Sequence, residues 1–164
     1  MSKNKLLRRI NFLEYFLIIG GLFGIVLQVA NLLSMNLDKF QNLSSYVTLY
    51  SPFILFMFSI YNGLLLTYKK YELGLKLASY SFYLQLVAFT AFGFWYENYL
   101  GFGLGFSLEL TNDTFFGLNF NFSQFILGLV KDSSIFEVRF NVFALFMIYY
   151  ISKVSIDLKK VTIE

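Results

Sequence analysis

Long runs of uncharged, largely apolar residues alternate with short charged segments along the chain. Asp, Glu, Lys and Arg are all absent from residues 15–37, 40–68 and 77–96. A helix needs about 20 predominantly apolar residues to cross the hydrocarbon layer of a bilayer, and each run reaches that length. The pattern therefore predicts three membrane-spanning helices, at about 12–34, 45–68 and 75–97.

A fourth membrane helix is predicted close to the C-terminal end, although only 140–152 is free of charge there. Ser134 and Glu137 have the spacing of a capping box, which favours a helix that begins at Ser134. Arg139, in the first turns of that helix, can extend its charged end to the headgroups. A helix at about 134–156 completes the predicted fold class: an α-helical integral membrane protein whose four transmembrane helices form one bundle, with residues 1–164 as a single membrane domain.

The distribution of Lys and Arg predicts the orientation. With the N-terminus inside, ten of the 13 basic residues fall in cytoplasmic segments and three in outer segments, which is the bias that cytoplasmic loops normally show. We therefore expect a multi-pass protein of a bacterial inner membrane with both termini in the cytoplasm. An alternative with a fifth span at 114–130 moves Lys153, Lys159 and Lys160 outside and places Asn119 and Asn121 in lipid.

Residues 101–124, between the third and fourth predicted helices, alternate with a period of two. Small or polar residues separate the apolar ones, and the segment Asn112–Thr114 interrupts the pattern. Two alternating runs around such a turn predict an extracytoplasmic β-hairpin. Its apolar face consists of Leu104, Phe106, Leu108, Leu110, Phe116, Leu118, Phe120 and Phe122.

The register of the hairpin follows from the rule that directly opposed residues share a face. A three-residue loop at 112–114 pairs Leu110 with Phe116 and every other apolar residue with an apolar one, whereas a two-residue loop sets Leu108 against Gly117. We therefore predict the three-residue loop. The apolar face must be covered by the protein's own helices, by a partner protein, by a second copy joined through the sheet edge, or by lipid; residues 124–130 add a third strand or a short helix.

Composition narrows the possible chemistry. The chain has no Cys and no His, which excludes disulfides, thiolate nucleophiles and zinc sites built from these residues. Charged residues make up 14% of the chain, against roughly 25% in soluble domains. No ionisable residue is expected at mid-depth in the membrane, where such a residue commonly marks an ion path. We predict no metal, no cofactor and no nucleic-acid binding.

Three groups of residues are candidate functional positions within the predicted spans. Gly20 and Gly24 have the spacing that lets another helix approach closely. Trp95, Tyr96 and Tyr99 are typical of the belt of aromatic side chains at a membrane surface. The intramembrane polar residues, which usually form hydrogen bonds between helices, are Gln28, Asn62, Gln85 and Asn141.

The predicted function is that of a non-enzymatic membrane protein: a small subunit, assembly factor or scaffold. Its expected partners are the lipid bilayer and a protein, or a second copy, bound through the outer hairpin. The alternative is a small oligomeric transporter or channel with a polar path near Gln85 and Asn62. A membrane enzyme has less support, because its acid–base chemistry depends on outer carboxylates alone.

Overall fold

A computed structural model describes residues 3–34, 43–111, 115–129 and 135–163. Two long helices come first, followed by a short helix, four strands and a last helix. In chain order these elements are α1 (Lys3–Ser34), α2 (Leu43–Thr67), α3 (Tyr71–Tyr83), β1 (Val87–Ala91), β2 (Phe94–Glu109), β3 (Phe115–Leu129), β4 (Glu137–Asn141) and α4 (Val142–Ile163).

Helices α1 and α2 form an antiparallel hairpin that glycines bring into close contact. A Cβ added at Gly24 would overlap the ring of Phe56, and one added at Gly63 would lie 2.5 Å from Ile18 Cγ1. The antiparallel arrangement places the N-terminus of α1 beside the C-terminus of α2. Arg9 Nη1 of α1 lies 2.6 Å from Asp157 Oδ2 of α4, so α4 ends there as well. We call this part of the molecule the basic end; its described basic residues are Lys3, Lys5, Arg8, Arg9, Lys69, Lys70, Lys76, Lys153, Lys159 and Lys160.

The four strands form one antiparallel sheet in the order β1-β4-β2-β3, and β1 pairs with β2 as well. Arg139 on β4 lies opposite Ala88 of β1 on one side and Ser107 of β2 on the other. Strands β1, β4 and β2 therefore close into a ring, and β3 extends the sheet along β2. Strand β2 pairs with β1 through 94–96 and with β4 through 105–109, with a register irregularity between Tyr99 and Phe102.

The third predicted helix, at 75–97, is wrong. Helix α3 ends at Tyr83, and the rest of the uncharged run forms β1 and the start of β2. Phe92 and Gly93 both have positive φ, at 52° and 78°, and they connect Ala91 to its partner Phe94. Positive φ at both central residues is typical of the type I′ turn that joins two strands most tightly. Apolar content supports a buried helix and an apolar strand equally, so the run of uncharged residues did not distinguish them.

The fourth predicted helix, at 134–156, begins too early and ends too early. Ser134 lies outside the described residues, while Glu137 and Arg139 belong to strand β4. Helix α4 starts at Val142. Its backbone is capped by Asn141, whose Oδ1 accepts a hydrogen bond from Ala144 N at 3.2 Å. The side chain of an Asn at this position satisfies one of the free N–H groups of the first turn, so the cap lies seven residues after the position expected from the capping box.

The predicted hairpin has the expected alternation but longer strands and a different register. Its strands extend to 94–109 and 115–129, and the segment 124–130 continues β3 as far as Leu129. Leu104 lies opposite Phe120 and Phe106 opposite Leu118, two positions away from the predicted partners. Apolar residues still face apolar residues because the offset is even. The predicted turn at 112–114 lies outside the described residues.

The predicted fold class, a four-helix membrane bundle, is therefore wrong: the described residues form a mixed fold of four helices and a four-stranded sheet. Helix α3 has 13 residues, which is about 20 Å of helix and too short to cross a bilayer. By length and composition alone, two helices among the described residues meet the requirement for a membrane span, Lys3–Ser34 and Tyr46–Thr67. The core helix of a soluble protein and an N-terminal signal sequence meet the same requirement.

Candidate functional site

The sheet carries its apolar side chains outward and its small and polar side chains inward. Of the eight residues predicted for the apolar face of the hairpin, Leu108 is half-buried and the other seven are exposed. The intervening residues Gly103, Gly105 and Ser107 are buried. In the described parts of the chain this side of the sheet meets the protein's own helices near Phe102, whose ring centroid lies 4.0 Å from that of Phe143 on α4. Sheets of water-soluble proteins bury the apolar face instead.

The inner side of the ring contains a cluster of charged residues. Arg139 donates from Nε and Nη2 to the two carboxylate oxygens of Glu137, at 2.8 and 2.7 Å, and from Nη1 to Glu97 Oε1 at 2.8 Å. Asn121 Nδ2 lies 3.4 Å from the same Glu97 oxygen. Only 1% of the Glu97 surface is exposed. A buried carboxylate requires a partner of opposite charge, and Arg139 provides it for both acids.

A second polar group joins α3, the irregular part of β2, and β3. Gln85 Nε2 donates to Ser81 O at 2.9 Å, and Gln85 Oε1 accepts from Leu100 N at 2.9 Å. Gly101, with φ of 74°, donates from its backbone N to Ser123 Oγ at 2.7 Å. These side chains replace the ladder hydrogen bonds that β2 loses at its bulge. Gln85 and Ser123 therefore determine where the long strand bends to close the ring.

Asn62 lies next to this group on α2. Its Nδ2 donates to Ser81 Oγ at 3.0 Å, and among the described residues its Oδ1 has no partner. A cavity of about 10 Å³ lies beside Ser81, Gln85 and Asn98, which is close to the volume that one water molecule requires. The structure thus brings together two of the four predicted intramembrane polar residues, Asn62 and Gln85.

The other predicted positions lie apart from this group. Gln28 is half-buried on the distal half of α1, and Asn141 is the cap of α4. Gly24 faces Phe56 of α2, while Gly20 faces the backbone of Gly101 in the sheet, 3.3 Å from a Cβ that would be added there. The two glycines of the predicted packing pair therefore contact different elements.

The predicted aromatic belt lies in β2 rather than at the end of a helix. Trp95 is paired with Thr90 and Gly128, and it is half-buried. Tyr96 donates its hydroxyl to Leu84 O at 2.6 Å. Tyr99 is buried beside the charged cluster. The three rings take part in the packing of the sheet, and their role as a membrane belt stays a prediction.

The charged cluster was missed by sequence analysis. Arg139 was assigned to the first turns of a helix, so its contact with Glu97 was not expected. One feature of the sequence pointed to the cluster: Ser107 and Asn121 lie on the polar face of the predicted hairpin. A charged residue on a neighbouring strand has polar side chains beside it only if it lies on that same face. This inference required β4 to be recognised as a strand. No protein-family model matches the chain, and no curated protein or solved structure matches it significantly.

Proposed function

We propose that the protein is a non-enzymatic component of a lipid bilayer, in contact with acyl chains through α1, α2 and the outer face of the sheet. The observation that carries this proposal is the inverted sheet: charged and amide side chains are enclosed while phenylalanines and leucines are exposed. Such an arrangement is stable where the surroundings are apolar, because exposed apolar patches of this extent are unfavourable in water. The proposal concerns two long helices and one sheet face, not a span of four helices.

The exposure of α1 indicates that lipid, rather than a single protein partner, surrounds this helix. Only 22% of its most apolar 18-residue window is buried, so it does not resemble the enclosed core helix of a soluble protein. Large apolar side chains are also exposed on α2, on α4 and along the sheet, for example Ile54, Leu145 and Leu118. A protein partner covers one face, whereas acyl chains surround the molecule. The basic end then faces the cytoplasm, as the bias of Lys and Arg predicts.

The ion pairs of the polar core support a role in structure or assembly. Glu97 and Glu137 both bind Arg139, and no group of three or more metal-binding side chains occurs in the described ranges. A cluster in which two carboxylates of different strands share one guanidinium is suited to holding strands together. The transporter alternative finds less support: Asn62 and Gln85 do share Ser81 as a partner, but the neighbouring cavity has room for about one water molecule.

Cysteine accessibility in nanodiscs of phosphatidylcholine tests the proposal, and the chain has no native Cys to interfere. Ile19 and Phe122 are 62% and 59% exposed, and Tyr68 at the basic end is 72% exposed. We expect Ile19→Cys and Phe122→Cys to resist a membrane-impermeant maleimide while Tyr68→Cys reacts quickly, because lipid excludes the reagent. Nanodiscs leave both membrane faces accessible. Equal labelling rates at all three positions, or failure to enter nanodiscs, would refute the proposal.

A further inference from the structure

A cleft of about 600 Å³ lies between α3 and α4. Its polar lining includes Lys76, Ser79, Ser152, Ser155 and Lys159. These residues recur every three to four positions on each helix, so one stripe of each helix forms a wall. We propose that this cleft binds an anionic phospholipid, with the phosphate of its headgroup beside Lys76 and Lys159.

The cleft changes in character along its length. Helix α3 runs away from the basic end, so Lys76 comes first and Tyr80 and Tyr83 follow one and two turns later. Helix α4 runs in the opposite direction, which places Lys159 at the same end as Lys76. Leu75 and Ile151 are buried between the helices. One end of the cleft is therefore cationic, and the other is aromatic and aliphatic. A molecule with a charged head and an apolar chain matches both ends.

The charge of the cationic end selects an anion. Both lysines are exposed, and neither forms a salt bridge with another described residue. The hydroxyl of Ser155, one turn from Lys159 on α4, adds a hydrogen-bond donor that a phosphate oxygen accepts. Basic pockets between helices on the cytoplasmic side are known to bind lipid headgroups. Glu72 also lines the cleft, so it opposes the binding of an anion and provides a test of opposite sign.

This inference rests on the proposed function, because the basic end must lie at the headgroup layer. The experiment is native mass spectrometry of the full chain in a neutral detergent, titrated with phosphatidylglycerol, with phosphatidylcholine and with glycerol phosphate. We expect one phosphatidylglycerol per chain to bind more tightly than phosphatidylcholine. Glycerol phosphate has the same anionic group without acyl chains, so it distinguishes a lipid from a free phosphate compound.

Two double variants distinguish binding in the cleft from nonspecific attraction between a basic protein and an anionic lipid. Lys76→Gln with Lys159→Gln should weaken phosphatidylglycerol binding about 25-fold, because each lysine near an anionic headgroup contributes roughly fivefold. Lys153→Gln with Lys160→Gln changes the net charge equally, at positions that do not line the cleft, and should weaken binding much less. Glu72→Gln should strengthen it. Melting curves of each variant show that the fold is intact.

Several outcomes would overturn the inference. They are equal affinity for the two lipids, equal losses in the two double variants, or glycerol phosphate binding as tightly as the intact lipid. The labelling experiment and the lipid titration can fail separately, because labelling in nanodiscs of neutral lipid does not involve the cleft. A protein that is protected by lipid in nanodiscs but does not prefer phosphatidylglycerol retains the proposed function and lacks this site.

Discussion

Arg139 of β4 and Glu97 of β2 form an ion pair across the interior of the ring, with 2.8 Å between Nη1 and Oε1. The two residues do not occupy paired positions on the strands, since Arg139 lies opposite Ala88 and Ser107. The interaction therefore joins β2, one residue beyond the part that pairs with β1, to the strand that pairs with the other half of β2. It encloses a carboxylate inside a surface of apolar side chains.

Removal of the Arg139 side chain should destabilise the protein strongly. Arg139→Ala leaves the carboxylates of Glu97 and Glu137 without a counter-charge, and breaking one partner of a buried ion pair costs about 3–5 kcal/mol. We expect the lower end of that range, because 23% of the Arg139 side chain is exposed. Fluorescence of Trp95, the single tryptophan of the chain, follows unfolding close to the cluster.

The matched control for this prediction is Arg8→Ala, which removes an exposed arginine at the basic end. Arg139→Lys keeps the charge but loses the bidentate geometry, so its melting temperature should lie between those of Arg139→Ala and the unaltered protein. If Arg139→Ala unfolds at the same temperature as Arg8→Ala, the ion pair does not stabilise the ring.

The boundaries of α2 follow closely from its uncharged run, because in a long apolar helix length and composition are sufficient evidence. Helix α1 ends at the predicted residue but begins at Lys3 rather than at 12, because the helix continues through the charged residues that precede the apolar run. Between Gln85 and Asn141 the alternating strands of the hairpin follow from the sequence, but β1, β4 and the closing of the ring do not. There the deciding features are a turn at Phe92–Gly93 and a bulge at Gly101, and both depend on backbone conformation. Local sequence patterns also did not predict the charged cluster, because Glu97 and Arg139 are 42 positions apart. Their contact exists only after the ring has closed.

The register of β2 and β3 can be tested by disulfide formation. Leu104 and Phe120 lie directly opposite each other, so Leu104→Cys with Phe120→Cys should oxidise readily, because the Cβ atoms of opposed residues are about 4.5–5.5 Å apart. Leu104→Cys with Phe122→Cys represents the register expected from a three-residue loop. In the structure this pair is diagonal, at roughly 7–8 Å, beyond the reach of a disulfide. Mobility on a non-reducing gel reports the bond, and preferential oxidation of the 104/122 pair would support the other register.

The contact between α1 and α2 should not tolerate a methyl group at Gly24. A Cβ there overlaps the ring of Phe56, which is itself buried and has little room to move. We expect Gly24→Ala to lower stability by about 1–3 kcal/mol, the usual effect of overpacking. The control is Gly128→Ala, since a Cβ at Gly128 meets no atom within 4 Å. Thermal unfolding compares them, and Phe56→Leu should restore part of the loss in the Gly24 variant; equal melting temperatures for the two glycine variants would contradict the close contact.

The closed ring also has a consequence for the order of events during synthesis. The hairpin of α1 and α2 is complete once residue 67 has been made, and its contacts are local. The ring requires β4, which begins at Glu137, so β1 and β2 lack their second neighbour while the intervening residues are translated. Glu97 has no cationic partner from β4 during this interval. The helical hairpin can therefore form co-translationally, whereas the sheet reaches its final form only after β4 has left the ribosome.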